Sequence, residues 1–176
     1  TAATVDLSSY EDGGSVILGG LITDIRYILL RNGRKQGQRM AIVTLEDLKG
    51  KVEVTISPKE LDEYRHLLKP DAIIFVKGSV NRKREEPSVR VGEVIAAERA
   101  PSVLCDSVIV RVDEMRDSSE VVERLFDVIS RHRGACPLYV EIQTDEHEIA
   151  TIKCSDDMSV KASSECLHEL ASLIGE

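Results

Sequence analysis

The side chains in this sequence with the most chemistry to offer are cations placed in turns. Residues 32–39 read Asn-Gly-Arg-Lys-Gln-Gly-Gln-Arg, which sets Arg34, Lys35 and Arg39 among glycines at 33 and 37. A second group, Arg82, Lys83 and Arg84, follows Asn81. Guanidinium and ammonium groups in exposed turns donate hydrogen bonds and neutralise anions, and a phosphate backbone is the anion that engages several of them at once. Arg26 and Tyr27 lie on the strand leading into the first group. They add a further cation and a ring able to stack on a base.

Reaction chemistry is harder to find. Phosphoryl-transfer sites hold magnesium with carboxylates on rigid strands, but Glu46-Asp47, Asp145-Glu146 and Asp156-Asp157 all fall where the chain is expected to reverse. Turn chemistry accounts for acids in such places. There is no phosphate-binding Gly-Lys-Ser/Thr loop, no dinucleotide glycine fingerprint and no nucleophilic serine elbow. Cys105, Cys136, Cys154 and Cys166 form no C-x-x-C pair, and His66, His132, His147 and His168 are scattered. Reduced thiols are expected, with no metal, no cofactor and no catalytic residue in this segment.

The net charge of −8 over 176 residues conceals two unlike halves. Residues 1–100 hold 16 Lys+Arg against 15 Asp+Glu, a net of +1, whereas residues 101–176 hold 7 against 16, a net of −9. Phosphate is repelled by the second half, so contact with nucleic acid is expected from the first. With 42% apolar residues the chain can build a core. It contains no apolar run near the roughly 20 residues of a membrane span and opens on no secretion signal, so a cytoplasmic protein without membrane contact is expected. The chain starts at Thr1 rather than Met, which fits a piece of a longer protein.

The elements that must position the cations follow from periodicity. Residues 1–15 are polar and end in Asp-Gly-Gly-Ser, as a lead-in or linker would. Apolar positions then alternate along a first strand from residue 16 to 27, with Gly19-Gly20 as the place where it can bend between two sheets. Residues 40–45 and 51–56 give a second and third strand about an Asp47–Gly50 turn. Ser57, Pro58 and Glu60 signal a helix start by a capping box, with Leu61, Tyr64, Leu67 and Leu68 as its buried stripe. Residues 72–80 form a fourth strand, near-continuously apolar around Phe75, which is expected in the core, and residues 88–96 form a fifth.

Three strands, a helix and two strands is the order of the five-stranded OB barrel, whose loops between strands one and two and between strands four and five flank a binding face. Here those two loops carry the basic groups. Beyond residue 100 a second pattern begins: a strand through Val108, Val110 and Val112, and a helix capped at Asp117 with Val122, Leu125, Phe126 and Ile129 at helical spacing. Arg131 to Gly134 is expected to close that helix. A hairpin about Asp145-Glu146, a short strand over residues 158–161 and a terminal helix through Leu167, Leu170 and Ile174 follow. The fold class expected is β-rich plus α+β: a linker over 1–15, an OB domain over 16–100 and a small α+β domain over 101–176.

Particular residues carry a family likeness. Gly20-Leu21-Ile22-Thr23-Asp24-Ile25, the Gly-Gln-Arg-Met-Ala of 37–41, and Val43-Thr44-Leu45-Glu46-Asp47-Leu48-Lys49-Gly50-Lys51-Val52-Glu53-Val54 resemble the OB domain near the carboxyl end of the bacterial DNA polymerase III alpha subunit. The Ser57-Pro58 helix and Ile74-Phe75-Val76-Lys77-Gly78-Ser79-Val80 continue the likeness. Residues 105–176, with Leu125-Phe126 and Gly134-Ala135-Cys136-Pro137-Leu138, are similar to that family's extreme carboxyl-terminal domain. The resemblance implies a non-catalytic segment of a replicative DNA polymerase, a nucleotidyltransferase whose reactive sites would lie in upstream polymerase domains. It implies single-stranded DNA near the barrel and the clamp-loader tau subunit on the last domain. Two alternatives stand beside it: a stand-alone protein-interaction adaptor, and an anticodon-binding OB module of the kind found in class II aminoacyl-tRNA synthetases. The latter usually carry Leu-Arg-Asp where Glu46 stands here and a stacking Phe where Ile42 stands. Tyr27 is the one stacking ring expected in the barrel, so binding is expected to be weak, salt-dependent and tolerant of sequence.

Overall fold

The computed structural model describes residues 4–83, 86–113, 119–144 and 148–174. The chain divides into two compact units, Thr1–Ala97 and Glu98–Glu176.

In the first unit, strands β1 (Ser15–Leu29), β2 (Arg39–Glu46), β3 (Lys51–Ile56), β4 (Ile73–Asn81) and β5 (Ser88–Ala96) close a barrel in the order β1-β2-β3-β5-β4. Helix α1 (Pro58–Tyr64) joins β3 to β4, and the whole is the OB fold. The strands form because apolar residues alternate: Val43, Leu45, Val54, Ile56 and Val76 are completely buried while their neighbours face out. Strand β1 serves two partners, β4 along Ser15–Leu21 and β2 along Leu21–Leu29, with an irregularity between Ile22 and Asp24. A Cβ on Gly19 would stand 2.6 Å from the Phe75 ring, so the bare glycine receives that ring. Phe75 was expected in the core, but Ile74 and Val76 fill it and Phe75 lies half-buried on the outside, against Gly19.

Two further expectations are corrected. From Thr4 the amino-terminal segment is a packed part of the barrel rather than a linker: a 3-10 turn spans Thr4–Ser9 and Leu7 is 1% exposed within the barrel core. The Gly13 amide donates to the Val80 carbonyl at 2.8 Å and the Val80 amide to the Gly14 carbonyl at 2.9 Å. At α1, Ser57 occupies the N-cap, but its hydroxyl donates to the Glu60 carboxylate instead of accepting from a backbone amide. The turn between β2 and β3 matches its chemistry, with Asp47 Oδ1 accepting from the amides of Lys49 and Gly50 at 2.8 and 2.9 Å.

The second unit comprises α2 (Ala100–Leu104), β6 (Val108–Asp113), α3 (Ser119–Arg131), β7 (Arg133–Cys136), β8 (Leu138–Gln143), β9 (Ile149–Lys153) and α4 (Ser164–Ile174). A three-stranded sheet runs β6-β8-β9, parallel then antiparallel. Its core gathers Val108, Val110 and Val112 of β6, Leu125, Val128 and Ile129 of α3, and Cys166 and Leu170 of α4. Glu169 of α4 holds the end of α3, accepting from Arg131 Nη1 at 2.8 Å and lying 3.2 Å from His132 Nε2. The His132 contact first, and Arg131 after it, keep that carboxyl below its ordinary range. The expected cap at Asp117 and the middle of the expected hairpin at Asp145-Glu146, with His147, lie outside the described residues.

Three readings of this unit change. Val122 and Phe126 are 39% and 52% exposed, and Val128 takes the buried position they were given. The strand expected over residues 158–161 is a 3-10 turn, Asp156–Met158, followed by bridges from Val160 to Arg133 and Cys136. Gly134 sits in β7 rather than capping α3, and a Cβ there would lie 2.4 Å from the Lys161 amide nitrogen. Gly134→Ala is therefore expected to lower stability by about 1–3 kcal/mol. Gly92→Ala, where the nearest atom to the new Cβ is 3.7 Å away, is expected to stay within about 0.5 kcal/mol of the parent. Urea unfolding of the two variants checks the contrast.

Candidate nucleic-acid interface

The first basic group sits at the tip of a β1–β2 hairpin that outruns the barrel. Ala41 is the last residue of β2 toward the tip to be fully buried on the core side, and beyond it Tyr27, Ile28 and Leu29 are 57%, 41% and 55% exposed. Residues 30–38 close the hairpin as consecutive turns. The Leu30 amide donates to the Gln38 carbonyl at 2.9 Å, the Gly37 amide to Leu30 at 2.8 Å, and the Gln36 amide to Gly33 at 3.1 Å. Gly33 and Gly37 have φ of 87° and 82°, a region costly for residues with a Cβ. The turns present Arg31, Arg34, Lys35 and Arg39 to solvent, and among the described residues none of the four enters a salt bridge. Lys35 lies within electrostatic reach of Glu60, whose carboxyl is held low mainly by the Ser57 hydroxyl.

Register separates the two residues at 26 and 27. Tyr27 pairs with Ala41 and Leu29 with Arg39, on the side of the ribbon that faces the core lower down. Arg26 pairs with Ile42 and Asp24 with Thr44, on the barrel's outer face, and β3 continues those two rows with Thr55 and Glu53. Arg26 donates to the Glu53 carboxylate and its Nε lies 3.3 Å from Asp24 Oδ2. Its charge is thus already balanced by two acids. Ile42, the apolar residue of that face, is only 6% exposed. The outer surface of β1–β2–β3 therefore offers a phosphate no unpaired cation and a base little to stack on.

The second basic group is partly engaged. The Arg82 amide donates to Asp12 Oδ1 at 2.9 Å and its Nη1 to the Tyr10 carbonyl at 3.3 Å, while the Lys83 amide donates to Asn81 Oδ1 at 3.3 Å. Arg82 and Lys83 are exposed, and Arg84 lies outside the described residues. Strand β3 links the two groups, pairing Ile56 with Ala41 on one side and Val54 with Val89 on the other. At about 3.3 Å per residue and 4.8 Å per strand, the roots of the two loops stand roughly 20 Å apart. The structure brings Arg34, Lys35 and Arg39 together at one tip with Tyr27 beside them, holds Arg26 in an ion-pair network, and turns Arg82 toward the amino-terminal segment.

Sequence reasoning missed three contributors. Arg31, one residue before the basic run, belongs to the same tip; its signal was the cation count of the loop. Glu53 escaped because its approach to Arg26, 27 residues away in sequence, depends on strand register, and Asp24, two residues before Arg26 on the same face of β1, was read only within the family likeness. Among the described residues, no three His, Cys, Asp or Glu side chains cluster as metal ligands, and no helix is long and apolar enough to cross a membrane.

A barrel of this topology with a basic hairpin tip defines a class, and the comparison with known families agrees. Residues 16–97 match the tRNA anticodon-type family described as an OB-fold nucleic acid binding domain. The more particular likeness covers nearly the whole chain: it is related in sequence to the DNA polymerase III alpha subunits. It is 25% identical to that of Bacillus subtilis over 164 residues, 90% of this chain and 14% of the relative. It is 29% identical to that of Saccharopolyspora erythraea over 165 residues, 91% of this chain and 13% of the relative. The Escherichia coli K12 subunit is 25% identical over 173 residues, 97% of this chain and 14% of the relative. The chain thus spans about one seventh of the length of these relatives.

The Arg26 network makes a directional test. Glu53→Gln keeps the barrel's outer face intact and releases part of the Arg26 charge, so affinity for a fluorescent single-stranded oligonucleotide is expected to rise about two- to five-fold. Fluorescence anisotropy at low salt measures it.

Proposed function

We propose that this chain is the non-catalytic carboxyl-terminal segment of a replicative DNA polymerase alpha subunit, whose barrel guides single-stranded DNA. One observation carries the reading: Arg31, Arg34, Lys35 and Arg39 stand exposed at the hairpin tip, in no salt bridge among the described residues, with Tyr27 exposed on the ribbon below them, in a chain related to DNA polymerase III alpha. The contact is electrostatic first. Each cation that meets a phosphate releases condensed counterions, so affinity falls steeply with salt, while one tyrosine contributes a single stacking partner. Arg82 and Lys83 extend the positive path on the far side, and Arg26 contributes only when a phosphate displaces its carboxylates. Such a surface steers a strand beside a catalytic centre held in upstream domains and reads little sequence.

The second unit, with the acidic balance of residues 101–176, is read as the docking module for the clamp-loader tau subunit within the replisome. This follows the family likeness of residues 105–176 and the unlike charge of the two halves. An anticodon-binding role is the weaker reading. Glu46, which stands in place of the usual Arg between Leu45 and Asp47, is paired with Lys51 at 3.0 Å, and Ile42 is covered, so neither the cation nor the ring of that pattern is presented to a tRNA loop.

Replacing Arg31, Arg34, Lys35 and Arg39 together by Ala is expected to weaken oligonucleotide binding at least about tenfold and to reduce the slope of log affinity against log salt by nearly 3. Tyr27→Ala is expected to cost about 1 kcal/mol with the slope unchanged. Anisotropy titrations across a salt series measure both. Salt-insensitive binding, or an unaffected quadruple variant, refutes the proposal. Tighter binding of a tRNA anticodon stem-loop than of the DNA strand would favour the anticodon reading instead.

A further inference from the structure

The second unit's sheet is covered on one side only in part. Its core-facing positions grade from buried to bare across the strands. On β6 Val108, Val110 and Val112 are 6%, 2% and 8% exposed. On β8 Leu138 is buried while Val140 and Ile142 are half-buried, and on β9 Ala150 and Ile152, paired with Ile142 and Val140, are exposed. The two long helices account for the gradient. Helix α4 packs beside β6, at the far edge from β9. Helix α3 lies next to α4, and Arg124, Asp127, Val128 and Arg131 line the groove between them with His168, Glu169, Ser172 and Leu173.

At about 100° per residue, Val122 and Phe126 lie roughly 160–200° around α3 from Arg124. They occupy the flank turned away from α4, toward β9. Neither belongs to the packed core, and neither does Ile152. Val122, Phe126, Ile142, Ala150 and Ile152 therefore form an apolar trough along α3 and over the inner face of β9, at the position a third helix would fill in a fully covered sheet.

We propose that this trough docks an amphipathic helix of a partner protein whose polar face is basic. Charge selects the occupant. On α3 the exposed Glu123 lies about 60° around the helix from Phe126, whereas Arg131 faces α4 and is paired with Glu169. Glu148 stands exposed just before β9, and the nearby cation Lys153 lies 3.8 Å from Asp156. A second copy of this unit would bring another net charge of −9 against residues 101–176 and is repelled. A helix with apolar residues at i, i+3, i+4 and i+7 and Lys or Arg elsewhere satisfies both the trough and its rim. The inference gives a surface to the docking role read for this unit and rests on that role.

The test uses the full chain and neutral substitutions at exposed positions. Phe126→Ser with Ile152→Ser empties the trough, and Ile109→Ser with Ile149→Ser alters the opposite face, where both isoleucines are more than half exposed. Each is titrated with purified clamp-loader tau subunit and with an 18-residue designed peptide bearing that apolar spacing on a Lys-rich helix. The trough variant is expected to lose at least tenfold in affinity for both, the opposite-face variant to stay within twofold, and binding to weaken with salt. Tau binding that survives the trough variant overturns the surface and leaves the docking role standing. If tau fails to bind the parent chain, the docking role falls, and the peptide then decides the trough. Peptide binding lost in the trough variant supports it, and absent or unaffected peptide binding overturns it. Dimerisation of the parent chain that the trough variant abolishes, seen by sedimentation, also overturns it.

Discussion

Barrel closure is the constraint on which the first unit depends. One fifteen-residue strand must pair with β4 and then with β2, and the circle is completed by only two parallel pairs, Val54 with Val89 and Thr55 with Arg90. A sheet that closes on itself leaves no open edge, but its strands must bend and stagger. The strand passes from β4 to β2 at Leu21, its pairing shifts between Ile22 and Asp24, and the absence of a side chain at Gly19 lets the Phe75 ring lie against it. The stagger leaves the distal end of β1 and the start of β2 beyond the barrel, so the hairpin that bears Arg31, Arg34, Lys35 and Arg39 projects as a consequence of closure. The amino-terminal segment completes the same core through Leu7 and ties the other basic loop to itself through Asp12 and Tyr10.

Closure also organises the charges. Strands forced side by side bring Asp24, Arg26 and Glu53 within reach on the outer face, and opposite charges there balance at close range. Lys51 with Glu46 and Lys77 with Glu93 repeat the arrangement across neighbouring strands, at 3.0 and 3.4 Å. Exposed pairs of this kind add little stability. They do weaken the field that a phosphate would feel beside those strands. A neutral outer face over β1–β3 and a positive tip are what the proposed guiding of a strand requires, and the aromatic poverty of the surface fits that proposal.

Much of this was legible in the chain. Alternation over a few residues is a local property, so all five barrel strands appear within about two residues of their expected ends. The Asp47 turn and the start of α1 follow from residues that act on their own neighbours. The failures share one cause. Phe75, Val122 and Phe126 are apolar residues at positions a period assigns to a core, yet period alone does not say which face another element will cover. Val128 displaced Val122 and Phe126 because α4 packs on the Arg124 and Val128 side of α3, leaving the other flank bare. Gly134 read as a helix cap because the approach of residues 160 and 161 to its backbone is invisible along the chain.

The sequence by itself determined the fold class, the separation of a near-neutral half from an acidic one, and the basic turns on which the nucleic-acid reading stands, because composition and short-range periodicity are enough for each. Only the tertiary structure decided which cations are available. Arg26 and Arg34 are equivalent as letters. One is matched by carboxylates from its own strand and from β3, across a register set by barrel closure, and the other is carried clear of them on a hairpin held by Gly33 and Gly37. The same holds for the trough beside α3, since an uncovered surface is defined by what packs elsewhere and no residue specifies that alone.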